Sequence, residues 1–183
     1  MIKIRYGTFE TNSSSTHSIV VSEEPLNDYE YGYLISFAIG NFGWEMNVLR
    51  DCWERASYFY TAACQVYNRD VKEEIIDLLE PLGITCEFDE NEAPRFVTYG
   101  EYQYLDNGYI DHGEECQEFV DYLMADGVKL ARFLLSDKSF VITGNDNCDE
   151  VDREWIMGKL AKADSYNHKI FYLLFLNLIP ISQ

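Results

Sequence analysis

The chain has 183 residues, 47% of them hydrophobic, and 32 acidic residues against 14 basic ones give a formal net charge of −18. That length supports one domain with a real core, while no apolar run reaches the ~20 residues of a membrane span. A surface of this sign repels phosphates, which disfavours direct binding of DNA or RNA.

Five cysteines, Cys52, Cys64, Cys86, Cys116 and Cys148, stand far apart with no C-x-x-C pair. Zinc ribbons and knuckles are therefore not expected, and the thiols read as reduced. The N-terminus lacks the charged-then-apolar order of a signal peptide, so a cytoplasmic protein without a membrane partner is expected.

In chain order, Ile2 to Tyr6 and Ser18 to Ser22 read as strands, joined by the polar run Phe9-Glu10-Thr11-Asn12-Ser13-Ser14-Ser15-Thr16-His17-Ser18. Short hydroxyl and amide side chains bond to nearby backbone, so a turn is the plain reading of that run. Asn27 to Gly43 is aromatic-rich and reads as a helix ending in the Gly40-Asn41-Phe42-Gly43 turn. Trp44 to Tyr67 carries apolar residues every three or four positions (Val48, Leu49, Cys52, Trp53, Ala56, Phe59, Tyr60, Ala63, Tyr67), which predicts a helix with these on one face. A second helix is expected from Asp70 to Leu82, with Asp70 as cap, a stripe of Val71, Ile75, Leu78, Leu79 and Leu82, and a stop at Pro81-Leu82-Gly83.

Ile84 to Phe88 alternates as a strand, and the acidic stretch with Pro94 reads as loop or edge. Tyr99, Tyr102, Tyr104 and Tyr109 follow at spacings that match neither a strand nor a helix, and Gly108 to Asp111 reads as a short strand. Helices are expected from Glu114 to Ala125, with Cys116, Phe119, Val120, Leu123 and Met124 inward, and from Val128 to Leu135. Ser139 to Thr143 reads as a strand ending in the turn Gly144-Asn145-Asp146-Asn147. A helix near Val151 to Ala161 and a strand or buried helix from Ile170 to Leu178 complete the expectation. The whole reads as a single α+β domain over residues 1–183, with a central, mostly antiparallel sheet and several packed helices.

Three constellations have residue types suited to chemistry. The polar run offers Asn12, Ser13, Ser14, Ser15 and His17, but it has no G-x-x-x-x-G-K-S/T pattern and no lysine or arginine lies between Arg5 and Arg50. Asp111-His112 could supply a carboxylate and an imidazole, though neighbours in an extended segment point to opposite sides. Gly144 to Asn147 lacks the oxygen-rich pattern of a calcium loop. A hydrolase or transferase site, dependent on a metal or on phosphate, would require Ser13, Ser14, Ser15, His17, Asp111, His112 and Asp146 to meet. No cofactor motif is legible and none is expected, and no metal centre is assigned.

The charge is uneven. Residues 87–126 contain twelve acids and one base, Arg95. Tyrosines interleave with them, and tyrosine among acids suits a protein-binding surface.

The opening Ile2-Lys3-Ile4-Arg5 with Phe9 to Ser18, together with Tyr109-Ile110-Asp111-His112 and Gly144-Asn145-Asp146-Asn147, resembles signatures of a large group of small proteins from bacteriophages and mobile elements. The size and acidity are also similar to those of anti-CRISPR proteins that act on type II (Cas9-type) nucleases, some of which present acids where DNA phosphates would sit. The resemblance implies a non-enzymatic inhibitor in the host bacterial cytoplasm that binds a defence nuclease loaded with its guide RNA, as a DNA mimic, without binding nucleic acid directly. Its contacts would be Glu87, Asp89, Glu90, Glu92, Glu101, Asp106, Glu114, Glu115 and Glu118. The enzymatic site above and a phage structural or assembly role are the alternatives.

Overall fold

A computed structural model describes residues 2–6, 15–23, 33–111 and 116–145. The chain divides into a larger unit, Met1–Asp146, and a C-terminal unit, Asn147–Gln183, which lies outside the described residues together with the two elements expected there. The described part is α+β.

Four strands form its main sheet. β1 (Ile2–Tyr6) and β2 (Ser15–Val21) are antiparallel, β2 pairs in turn with β10 (Phe140–Asn145), and β10 pairs with β5 (Asn47–Leu49), all antiparallel. β2 and β10 therefore lie centrally, and their residues are correspondingly apolar and buried: Ile19, Val20 and Val21 on one, Phe140, Val141 and Ile142 on the other. Three further two-stranded pairings are separate from this sheet. β3 (Tyr33–Phe37) runs parallel to β6 (Ile84–Phe88), β4 (Asn41–Phe42) runs parallel to β9 (Tyr109–Ile110), and β7 (Phe96–Tyr99) forms an antiparallel hairpin with β8 (Tyr102–Leu105).

The helix α1 (Cys52–Tyr67) runs through the core. Residues Arg55, Ala56 and 58–64 are all buried, so the helix is enclosed nearly all round rather than along one stripe. It packs against β3, β9, α3 (Gln117–Met124) and α4 (Gly127–Leu135). Phe119 meets Phe59 and Phe133 edge to face, the latter at 5.3 Å, and Phe59 and Phe133 lie tilted to one another, which brings these helices together. The one charged side chain enclosed on α1, Arg55, donates to the Leu134 carbonyl at 2.6 Å and to the Ser139 carbonyl, satisfying acceptors at the end of α4 and at the start of β10.

Several expectations are corrected. Residues 33–37 and 41–42 are strands, with no helix over 33–43: Ile35 and Phe37 alternate inward, and Phe37 stacks on its register partner Phe88 at 5.0 Å. Helix α1 begins at Cys52 rather than Trp44, because residues 47–49 are held as a strand by β10. Trp53 is 62% exposed, outside the stripe assigned to it. The second helix is α2 (Lys72–Leu79) followed by a 3-10 turn, Glu80–Leu82, with Val71 at the cap position and Leu82 exposed; Asp70 still serves that end by accepting from Lys72 N at 3.0 Å. The tyrosine-bearing stretch after Pro94 is a regular hairpin.

Candidate functional site

The polar run enters the sheet earlier than expected. β2 begins at Ser15, so the last residues of the run lie within a central strand. Its partner there is β10, and the register sets Ser15 opposite Asn145, Thr16 opposite Gly144 and His17 opposite Thr143. Two stretches separated by more than a hundred residues in sequence thus share one end of the main sheet.

The third stretch arrives through β4 and β9. Phe42 pairs with Ile110, and Asp111 N donates to the Phe42 carbonyl at 2.9 Å, which lays Asp111 beside Gly43. The chain then crosses to the main sheet, where Thr143 Oγ1 donates to the Glu45 carbonyl at 3.0 Å and Asn47 pairs with Thr143. Gly43 sits in this crossing at φ +108. A Cβ on it would lie 2.7 Å from Asp111 Cβ and 3.1 Å from His17 Nε2. Asp111 and His17 therefore flank one point of backbone, and only glycine leaves room for both there.

His17 is 5% exposed, and its other ring nitrogen, Nδ1, lies 3.0 Å from the Tyr58 hydroxyl on α1. That hydroxyl is also 3.8 Å from Cys116 Sγ at the start of α3. Burial, with the neighbouring Cys116 thiol adding to it, raises the Tyr58 pKa well above the usual phenol value, so the hydroxyl keeps its proton. The hydroxyl either donates to Nδ1, which puts the proton of a neutral His17 ring on Nε2, or accepts from Nδ1–H and donates to Cys116 Sγ, which leaves Nε2, the nitrogen beside Gly43, with its lone pair. Tyr58 is itself fixed by Phe42 at 5.3 Å and Phe119 at 6.2 Å. At Asp111, the carboxylate accepts from the Tyr109 hydroxyl.

Of the candidate catalytic residues, the structure brings together His17 and Asp111 and adds the backbone of Ser15 beside Asn145. Asn12, Ser13, Ser14, His112 and Asp146 lie outside the described residues. Among the described residues no group of three or more histidine, cysteine or acidic side chains is placed to hold a metal ion. Gly43, Tyr58 and Cys116 were not assigned to this site from the sequence. Gly43 was visible only as the end of a turn, and Tyr58 is one of fourteen tyrosines with no local mark.

Of the candidate partner-binding acids, Glu87, Asp89, Glu90, Glu92, Glu101, Asp106 and Glu118 are exposed, and Glu114 and Glu115 lie outside the described residues. Glu87 accepts from Ser36 Oγ across the β3–β6 pair at 3.1 Å. Glu90, Glu92 and Asp106 line one open cleft of about 500 Å³ at the base of the β7–β8 hairpin, with Arg95 as its cation.

No family model, curated protein or solved structure matches the chain. Among the described residues no helix is long and apolar enough to cross a membrane.

Proposed function

We propose that this protein is a small hydrolase or group-transfer enzyme whose proton-transfer residue is His17. The observation that carries the reading is the convergence of the three polar stretches: Ser15 to His17, Asp111, and Gly144 with Asn145 meet at one end of the sheet although they are remote in sequence. The chemistry follows from the geometry. Tyr58 orients the imidazole through Nδ1: with the ring proton on Nδ1, Nε2 has the lone pair that takes a proton from an attacking hydroxyl, and the imidazolium so formed returns it to the leaving group. Asp111 stabilises the ring when it becomes cationic, the role a neighbouring carboxylate plays for a histidine base.

The test is a thermal-shift and turnover screen of the full chain against phosphate esters, nucleotides and acyl esters, with wild type beside His17→Gln and Asp111→Asn. At least one class should raise the melting temperature and be turned over, and His17→Gln should lower the rate by about a hundredfold or more, the typical share of a general acid–base group. A chain that binds and turns over none of them, or a rate indifferent to His17→Gln, overturns the reading.

A second reading is supported by a separate observation, the exposed acids and tyrosines of residues 87–118. Here the protein is an acidic inhibitor acting in the host bacterial cytoplasm. It occupies the nucleic-acid channel of a defence nuclease of the Cas9 type carrying its guide RNA, as the resemblance to anti-CRISPR proteins implies. Binding would weaken steeply with salt. Changing Glu90, Glu92, Glu101 and Asp106 to lysine should abolish it, and unchanged affinity in that variant would sink this reading.

A further inference from the structure

The β7–β8 hairpin has two faces of different character. Cross-strand partners share a face, so Phe96 with Leu105 forms one side and Tyr99 with Tyr102, and Val97 with Tyr104, form the other. Phe96 and Leu105 pack against the core. On the outer side Tyr99, Tyr102 and Tyr104 are 71%, 68% and 47% exposed. Their rings lie next to one another, Tyr104 being 6.5 Å from Tyr99 and 6.4 Å from Tyr102. Three large rings displayed together are a contiguous apolar patch, not the scattered single residues of an ordinary surface.

Charge brackets this strip. Glu101 is in the turn between the strands, and Asp106 follows β8 at the other end, where it shares the cleft at the hairpin base with Glu90 and Glu92. Three carboxylates against one Arg95 at the base and Glu101 at the turn leave both ends of the tyrosine strip net negative, which selects a cationic occupant. A nucleic acid is repelled, and so is a second copy of a chain carrying −18. Between the two cationic side chains, arginine fits better. Its planar guanidinium stacks on a tyrosine face while its forked N–H groups bond carboxylates in pairs, whereas a lysine ammonium is more strongly hydrated and binds as a point charge.

We infer that the outer face of the β7–β8 hairpin docks an arginine-rich polypeptide segment, with guanidinium groups stacked on Tyr99, Tyr102 and Tyr104 and paired with Glu101, Asp106, Glu90 and Glu92. The inference rests on the acidic-binder reading and adds the chemistry of the partner to it.

The probe is a labelled short peptide alternating arginine with serine, and a twin with lysine in place of arginine, titrated against the full chain by fluorescence anisotropy at low and high salt. The arginine peptide should bind about tenfold tighter than its twin, a difference within reach of one or two stacked cation–π contacts. Replacing the three tyrosines by leucine keeps apolar area and removes the π faces, and should cut the preference for arginine to the part that pairing with the carboxylates supplies. The changes Glu90→Gln, Glu92→Gln and Asp106→Asn together should flatten the salt dependence and leave the preference for arginine. Circular dichroism checks that each variant is folded. Equal binding of the two peptides by wild type, or a preference undiminished in the leucine variant, overturns the inference while leaving the acidic-binder reading in place. If neither peptide binds, the inference falls, and the acidic-binder reading still stands or falls on the nuclease affinity of the lysine variant.

Discussion

At Gly43 the conformation and the neighbours point the same way. Its φ of +108 is one that side chains rarely adopt, and an added Cβ would be 2.7 Å from Asp111 Cβ. Gly100, in the turn of the β7–β8 hairpin, also has positive φ, +65, but nothing lies within 4 Å of a Cβ there. The two positions separate backbone strain from collision. Gly100→Ala should cost about 1–2 kcal/mol, the left-handed penalty alone. Gly43→Ala should cost more and should displace Asp111 from His17. Urea unfolding of both variants measures the difference, and equal losses would show that the close approach at Gly43 has no energetic weight. His17 and Asp111 could be singled out in the sequence because histidine and paired polar residues are few. Gly43 and Tyr58 could not, since what distinguishes them is the point in space they share with residues far along the chain.

Elements were readable where local pattern and tertiary context agree. β6 is found where its alternation places it, and α4 starts after Asp126, whose side chain accepts from Val128 N at 2.8 Å. The apolar period predicts a start of α1 at Trp44, eight residues before the observed Cys52, although a local signal marks the true start. Asp51 and Glu54 have capping-box spacing, and Glu54 Oε2 accepts from Asp51 N at 3.2 Å and from Arg50 N at 3.0 Å. Upstream of that cap, the apolar residues Val48 and Leu49 continue the helical period, and only the partner β10 decides that they are a strand. The β7–β8 hairpin escaped for a related reason. Its two-residue turn shifts the phase of alternation, so tyrosines on one face of the hairpin look irregular along the chain. At this scale the aromatic junction of α1, α3 and α4 is the most exposed to a single truncation. Phe119, fully buried, touches Tyr58, Phe59 and Phe133. Phe119→Ala should lower stability by roughly 3–5 kcal/mol in urea unfolding. It should also loosen Tyr58 and with it the orientation of His17; a loss below about 1 kcal/mol would mean that the helices do not depend on this contact.

Over the whole molecule, burial of weak acids makes the fold sensitive to alkali. Burial pushes the Cys64 thiol up to about 12 from 9.0 and the Cys86 thiol up to about 11. Burial, reinforced by the hydrogen bond to Asp121, raises Tyr67 to about 12 from 10.0. A group whose folded pKa lies above its unfolded value contributes stability below the unfolded value and loses it as pH rises toward the folded one. The urea midpoint should therefore fall as pH is raised from about 9 toward 12, the interval set by these shifts. Both thiols should also resist iodoacetamide in the folded chain at pH near 8 and react on unfolding. A midpoint that stays level across that interval, or rapid labelling of the folded protein, would contradict the burial of these groups.

Composition and periodicity by themselves determined the class of fold, most of the helices, the excess of acid in residues 87–126 and the polar residues worth suspecting, because each of these is a property of residue type or of spacing along the chain. The tertiary structure alone decided what those residues do together. Strand register set His17 opposite Thr143 and Ser15 opposite Asn145, the β4–β9 pair carried Asp111 to Gly43, and the hairpin gathered three tyrosines onto one face. A register is a relation between segments distant in sequence, fixed by which faces are buried, and no local pattern states it.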